Sequence, residues 1–154
     1  MSKIKVGVIF GGQSTEHDVS VVSGGSVIKN LSKEKYEIYP IYISEKGDWF
    51  HYIKPVQDID IFEIGEQPKE LEKISNEVET LKKQDIIFPV LHGLYGEDGT
   101  IQGLLELLKV PYVGCKVLAS GICMDKVYAK MIFEKANINQ AKAVVVNAKN
   151  GYTY

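Results

Sequence analysis

Apolar residues fall in two rhythms along this chain of 154 residues. Ile4, Val6, Val8 and Phe10, with Ile9 between them, make a nearly continuous apolar run, the pattern of a strand covered on both faces. Tyr36 to Ile43 reads as a second strand, and Pro40 within it, lacking an N–H, predicts an edge or a bulge there. Glu45 to Asp48 is a turn, Trp49 to Ile53 returns as a hairpin partner, and Ile59 to Ile64 is a further short strand. Ile86 to Leu91 is the next buried strand, and Ala143 to Val146 the last. Helical spacing fills the gaps. Val19, Val22, Val27 and Leu31, with small Ser23 and Ser26, form one apolar stripe, with Thr15 or Asp18 as the expected cap. Gly24 and Gly25 weaken that helix by about 1 kcal/mol each, but they remove side chains, so the helix can lie close to a neighbour. Leu71, Ile74, Val78 and Leu81 predict an amphipathic helix. Ile101, Leu104, Leu105 and Leu108 predict another, ended before Pro111. Asp125 is a good N-cap for a helix from Lys126 to about Ala136, with Asn137 at its end.

Strands alternate with helices through roughly the first 115 residues, the order of a layered α/β domain. From about Gly121 onward the pattern reads as a second domain that begins and is cut off. The chain is 45% apolar and 25% charged, ordinary for a soluble globular protein. A net charge of −2 gives no reason to expect nucleic acid or an anionic membrane as partner. No apolar run approaches the roughly 18 to 20 residues that cross a bilayer, and the N-terminus enters a strand pattern at once, so no signal peptide is read there. Cys115 and Cys123 are too few for a disulfide framework and are expected as two reduced thiols.

Two loops carry the candidate chemistry. Gly11-Gly12-Gln13-Ser14-Thr15-Glu16-His17-Asp18 follows the first strand and opens the first helix, and His92-Gly93-Leu94-Tyr95-Gly96-Glu97-Asp98-Gly99-Thr100 follows the Ile86 strand. Strand-to-helix edges of this kind are where α/β proteins bind small ligands, so the two loops predict one shared pocket. Glu16, at a helix start, is explained by the helix dipole alone; the sharper reading is a carboxylate facing a cleft, where it pairs with a ligand ammonium. His92 reads as a hydrogen-bonded structural residue or as a substrate contact opposite the first loop. Glu97 and Asp98 are turn formers first, with Asp98 a cap for the following helix, and no further metal ligands stand at suitable spacing. Gly7-x-x-x-Gly11-Gly12 is neither a dinucleotide fingerprint nor a P-loop. Lys126 gains nothing from the dipole at a helix start; it reads as a generic surface lysine or, more sharply, as a candidate phosphate contact.

Phe10-Gly11-Gly12-x-Ser14-x-Glu16-x-x-Val19-Ser20, His92-Gly93-x-x-Gly96-Glu97-Asp98-Gly99-Thr100-x-Gln102-Gly103 and Met124-Asp125-Lys126 together resemble the D-alanine–D-alanine ligases, in that family's order and spacing. The resemblance covers essentially all of this chain but only the N-terminal half of such a ligase. The section from Ile43 to Leu81 is similar to the longer variants, which include ligases making D-alanyl-D-serine or D-alanyl-D-lactate. Asn139-Gln140-Ala141 departs from relatives, which usually carry a proline-containing link there.

The resemblance implies a Rossmann-like (pre-ATP-grasp) α/β domain with a parallel-rich sheet over residues 1–120, for substrate binding, and the beginning of a truncated ATP-grasp domain over 121–154. It implies a cytoplasmic enzyme of peptidoglycan and cell wall synthesis that joins two D-amino acids at the expense of ATP, with Mg2+. Glu16 would bind the ammonium of the first D-alanine, Val19 would line that subsite, His92 would lie beside the substrate carboxylate, and Lys126 would contact ATP phosphates. The magnesium carboxylates, the oxyanion arginine, most of the adenine pocket and the covering loop are expected beyond Tyr154, so no metal is assigned within this chain and the fragment alone is expected to be inactive. D-alanine and ATP are the partners implied, with no nucleic acid or membrane, and a homodimer agrees with the family's habit. The alternatives are a D-serine or D-lactate ligase, and a non-catalytic α/β module that binds a small ligand.

Overall fold

The computed structural model describes residues 2–146 apart from 54, 57, 58, 60 and 61. The first apolar run of the sequence forms β1 (Ile4–Gly11), an interior strand. It pairs in parallel with β2 (Tyr36–Ile43) on one side, Ile4 against Tyr36 through Gly11 against Ile43. On its other side it pairs in parallel with Ile86–Pro89, Val6 against Ile86 through Ile9 against Pro89. Between these come β3 (Trp49–Tyr52) and β4 (Leu71–Lys73), both antiparallel, so that with Ile86–Pro89 as β5 the five-stranded order is β4-β3-β2-β1-β5. A parallel bridge from Ile87 to Tyr112 extends the sheet beyond β5.

Both sheet faces are covered. On one, α1 (His17–Asn30) packs through Val21 and Ile28 against Val6, Val8, Phe10 and Val90. On the other, α2 (Glu77–Lys82) and α3 (Thr100–Leu108) bring Leu81, Ile101 and Leu105 against Ile9, Ile41 and Ile87. That sandwich explains why β1 is apolar at nearly every position. α4 (Val117–Met124) and α5 (Lys126–Lys135) follow. Asp125 caps α5 as expected, its carboxylate accepting from the Val127 and Tyr128 N–H groups. Asn137 takes the left-handed conformation after it, at φ 56°.

Several expectations change. α1 begins at His17, and neither Thr15 nor Asp18 caps it: Glu16 is the N-cap residue and makes no side-chain capping bond. Its buried face is His17, Ser20, Val21, Gly24, Gly25 and Ile28, rotated from the stripe expected, and Val19 is 48% exposed. The glycines do what their missing side chains allow, since a Cβ on Gly24 would stand 2.4 Å from the Phe10 Cβ. β2 is an interior strand. Pro40 is tolerated because the register with β3 begins only at Ile41, so no β2–β3 pair is lost. Leu71 to Leu81 is not one helix. Leu71–Lys73 pairs with β3, and the helix starts only after Asn76, whose side chain caps it by accepting from the Glu79 N–H. Ile59 and Phe62 are buried core residues outside any strand, while residues 60 and 61 of that expected strand lie outside the described residues. Ala143 to Val146 forms no strand; it is exposed and has no neighbouring strand among the described residues. Cys115 and Cys123 are free and exposed. Among the described residues no helix is long and apolar enough to cross a membrane.

Candidate functional site

The connection after β1 runs to β2 on one side, while β5 lies on the other, so the chain reverses its strand order between β1 and β5. Loops leaving the carboxyl ends of strands at such a point splay apart and leave a crevice. The two glycine-rich loops leave there. Ser20 on α1 fixes their roots: its hydroxyl accepts from the Gly11 N–H at 2.8 Å and donates to the Val90 carbonyl at 2.6 Å. It is fully buried, so Ser20→Ala leaves a buried donor and acceptor unsatisfied. We expect a loss of about 1–3 kcal/mol, read by thermal or urea unfolding.

The loops are also tied to each other. Ser14 Oγ donates to the His92 carbonyl at 2.7 Å and accepts from the Glu16 N–H at 3.1 Å. Gly93, at φ 68°, brings its backbone against the Ser14 side chain; a Cβ there would stand 3.3 Å from Ser14 Cβ and 3.7 Å from the Glu16 carboxyl carbon. Within the second loop, Glu97 Oε2 accepts from the Gly93 N–H at 2.8 Å. Asp98 accepts from both Tyr95 and Thr100 N–H groups, at 2.9 Å each. Burial pushes the Asp98 carboxyl up, but the N–H groups of Thr100 and Tyr95 outweigh it and hold it below its ordinary value. Gln102 reaches back from α3 to the Gly96 carbonyl.

The outcome is a convergence of charge. Glu16 and Glu97, both exposed, and half-buried His92 bring one ligating atom each within 4.8 Å of one another. His92 Nε2 meets the Ser23 hydroxyl at 3.1 Å, which orients the ring from α1. Two carboxylates and an imidazole this close together attract a cation. An imidazole is a poor ligand for magnesium, which prefers an all-oxygen octahedral shell, so the donor set suits an organic ammonium better.

Glu16 and His92 thus stand close together, whereas the cavity of about 260 Å³ between their loops is lined by Gly11, Gly12, Gln13, Leu91, Leu94 and Tyr95 and by neither of those side chains. Val19 stands one helical turn beyond Glu16, exposed on α1. Lys126 is elsewhere: it begins α5 and lines a separate cavity of about 780 Å³ with Lys130, Glu134 and Ile138. At the same end Gln140 donates to the Lys130 carbonyl, and Lys130 Nζ to the Ala141 carbonyl, so the departure at 139–141 is bonded to α5. Three further residues escaped the sequence reading. Glu97 looked like a turn former and is one, but the turn it makes carries it beside Glu16 and His92. Ser20 stands in the sequence only as part of the first motif; the signal was its place four residues before Gly24. His17 is 2% exposed beneath the first loop, its Nδ1 2.6 Å from the Gly12 carbonyl and its Nε2 3.1 Å from the Tyr42 hydroxyl. Burial, then Glu45 and Asp18, push that hydroxyl up to about 12.

An open α/β sheet whose loops gather two carboxylates and an imidazole at its switch point is an arrangement in which α/β proteins bind small ligands. The chain belongs to the D-Ala D-Ala ligase N-terminus family, whose model matches residues 5–115. It is 53% identical over 149 residues to a D-alanine–D-alanine ligase of Clostridium novyi, an alignment covering 95% of this chain and 43% of that one. A Caldicellulosiruptor bescii D-alanine–D-alanine ligase is 47% identical over 163 residues, covering 99% and 44%. Among solved structures, the VanG D-Ala:D-Ser ligase of Enterococcus faecalis superposes with a TM-score of 0.78 at 38% identity, over 97% of this chain and 46% of that one. The D-alanine–D-alanine ligase of Coxiella burnetii gives 0.71 at 32%, over 90% and 42%. The chain therefore spans less than half the length of the relatives it matches.

Proposed function

We propose that this chain is the first-D-alanine half of an ATP-dependent D-alanine–D-alanine ligase that makes the dipeptide for peptidoglycan synthesis in the cytoplasm. Residues 1–120 form the substrate-binding domain and 121–154 open the ATP-grasp domain. The observation that carries the reading is the Glu16 carboxylate: exposed, unused as a helix cap and drawn up beside His92 and Glu97. Glu16 takes the ammonium of the first D-alanine as a charge-assisted partner. His92 stands beside the substrate carboxylate, and exposed Val19 offers an apolar wall to the methyl group. ATP, when bound with Mg2+, supplies the phosphoryl group that makes that carboxylate electrophilic. Asp125 occupies the Val127 and Tyr128 N–H groups that could otherwise hold a phosphate, so Lys126 acts through its ammonium.

A second reading, D-serine as the other amino acid, is favoured by the VanG likeness at 38% identity. The 53% match to a ligase named for D-alanine on both sides weighs more. The full-length protein, given ATP, magnesium and D-alanine, is expected to release ADP and form D-alanyl-D-alanine. No ATP turnover with D-alanine refutes the reading; a product formed only when D-serine is added supports the second.

A further inference from the structure

We infer that His17 is a positioning residue for the first-D-alanine subsite: its two ring nitrogens fix the Gly11–Gly12 turn and, with it, the direction of the Glu16 carboxylate. This rests on the ligase reading above. Glu16 is exposed and its side chain caps nothing, so its direction is inherited from the backbone on either side. Upstream lies the softest stretch of the loop, Gly11 at φ 88° followed by Gly12 at φ 99°, two successive left-handed residues that only glycine adopts without strain. Downstream, His17 turns its ring back beneath that turn and closes it, Nδ1 lying 2.6 Å from the Gly12 carbonyl. A carbonyl only accepts, so Nδ1 carries the proton of this bond.

The far side of the ring is anchored as well. A ring protonated at Nδ1 alone accepts at Nε2, here from the Tyr42 hydroxyl at 3.1 Å, whose oxygen also lies 2.7 Å from the Gln67 side-chain amide. The His17 and Tyr42 rings meet edge to face, with centroids 5.6 Å apart. A buried imidazole held at both nitrogens thus ties the turn to β2, the strand beside β1, and Glu16 sits between this anchor and the Ser14 hydroxyl that accepts its N–H. A residue serving only to fill space would be replaceable by phenylalanine, whereas one that positions the turn needs its Nδ1 donor.

Two substitutions separate the arms of the anchor. His17→Asn places an amide nitrogen near the position of Nδ1 and keeps a donor for Gly12; His17→Gln places one near Nε2 and keeps only the contact with Tyr42. In the full-length protein, His17→Gln and His17→Phe are expected to raise KM for the first D-alanine about tenfold or more with KM for ATP within about twofold, since small misplacements of a binding group carry such costs. His17→Asn is expected to recover most of the loss. Amide hydrogen exchange at Gly12, Glu16 and His17 is expected to quicken in the glutamine variant and not in the asparagine variant. A folded His17→Gln protein with wild-type KM and wild-type exchange overturns the inference. So does an equal rise in both KM values, which marks general loosening. If the wild-type protein turns over no ATP with D-alanine, the ligase reading fails, while the exchange comparison still decides whether His17 holds the turn.

Discussion

Glu16→Gln in the full-length protein is expected to lower kcat/KM for the first D-alanine by about 10²-fold or more, with KM for ATP little changed. The substitution keeps shape and hydrogen-bonding capacity but removes the charge that meets an ammonium. Removing one partner of a hydrogen-bonded charge pair that is buried in the complex typically costs about 2–5 kcal/mol, and each 1.4 kcal/mol is a factor of ten. Glu97 and His92 remain nearby, but Glu97 already spends one oxygen on the Gly93 N–H, so it does not replace the lost partner. Coupled measurement of ADP release at varied D-alanine reads the effect. Kinetics within about twofold of wild type would remove Glu16 from substrate binding. The fold should be indifferent, because the Glu16 side chain caps nothing.

Gly24→Ala is expected to destabilise the domain by about 2–3 kcal/mol, lowering its melting temperature by roughly 5–10 °C. By helix propensity alone the sign is the reverse, since alanine in a helix interior is better than glycine by about 1 kcal/mol. Packing decides. The added methyl would stand 2.4 Å from Phe10 Cβ and 2.5 Å from Phe10 Cγ. Phe10 is fully buried on β1 and has nowhere to go, so α1 must move off the sheet. Gly103 in α3 is the control: a Cβ there meets nothing within 4 Å, so Gly103→Ala is expected to stabilise by about 0.5–1 kcal/mol. Thermal unfolding of the two variants beside wild type checks both signs. Equal effects in the same direction would mean that the approach of α1 to β1 does not matter.

Where a segment's apolar pattern has one cause, it is readable from sequence. β1 is apolar from Val6 onward because both faces are covered there, and α5 announces itself through Asp125. The misreadings have identifiable physics. The phase of α1 is hidden because its buried face sets His17, Ser20 and two glycines beside Val21 and Ile28, and hydrophobicity does not flag those four; their burial serves close approach and hydrogen bonds. Leu71 and Ile74 fall at helical spacing before Val78 and Leu81, but Leu71–Lys73 finds a strand partner in β3, an interaction invisible to local spacing. α4 carries no periodic signal because Val117–Met124 is apolar without a clear polar side, and the expected strand at Ala143–Val146 has no strand to pair with among the described residues. At the candidate site, Glu16 and His92 were legible because each follows a buried strand in a glycine-rich loop. Glu97 was legible only as a turn former, since its arrival beside them depends on how Gly93 folds the loop back.

The hydroxyl of Ser20, bonded at once to the ends of β1 and β5, has a consequence for how a ligand is received. On the ligase reading proposed above, the roots of both loops are set when the domain folds, so an arriving amino acid would spend little of its affinity on ordering them. Any closing around the guest then belongs to segments other than these two strand ends, which serve as the stationary jaw.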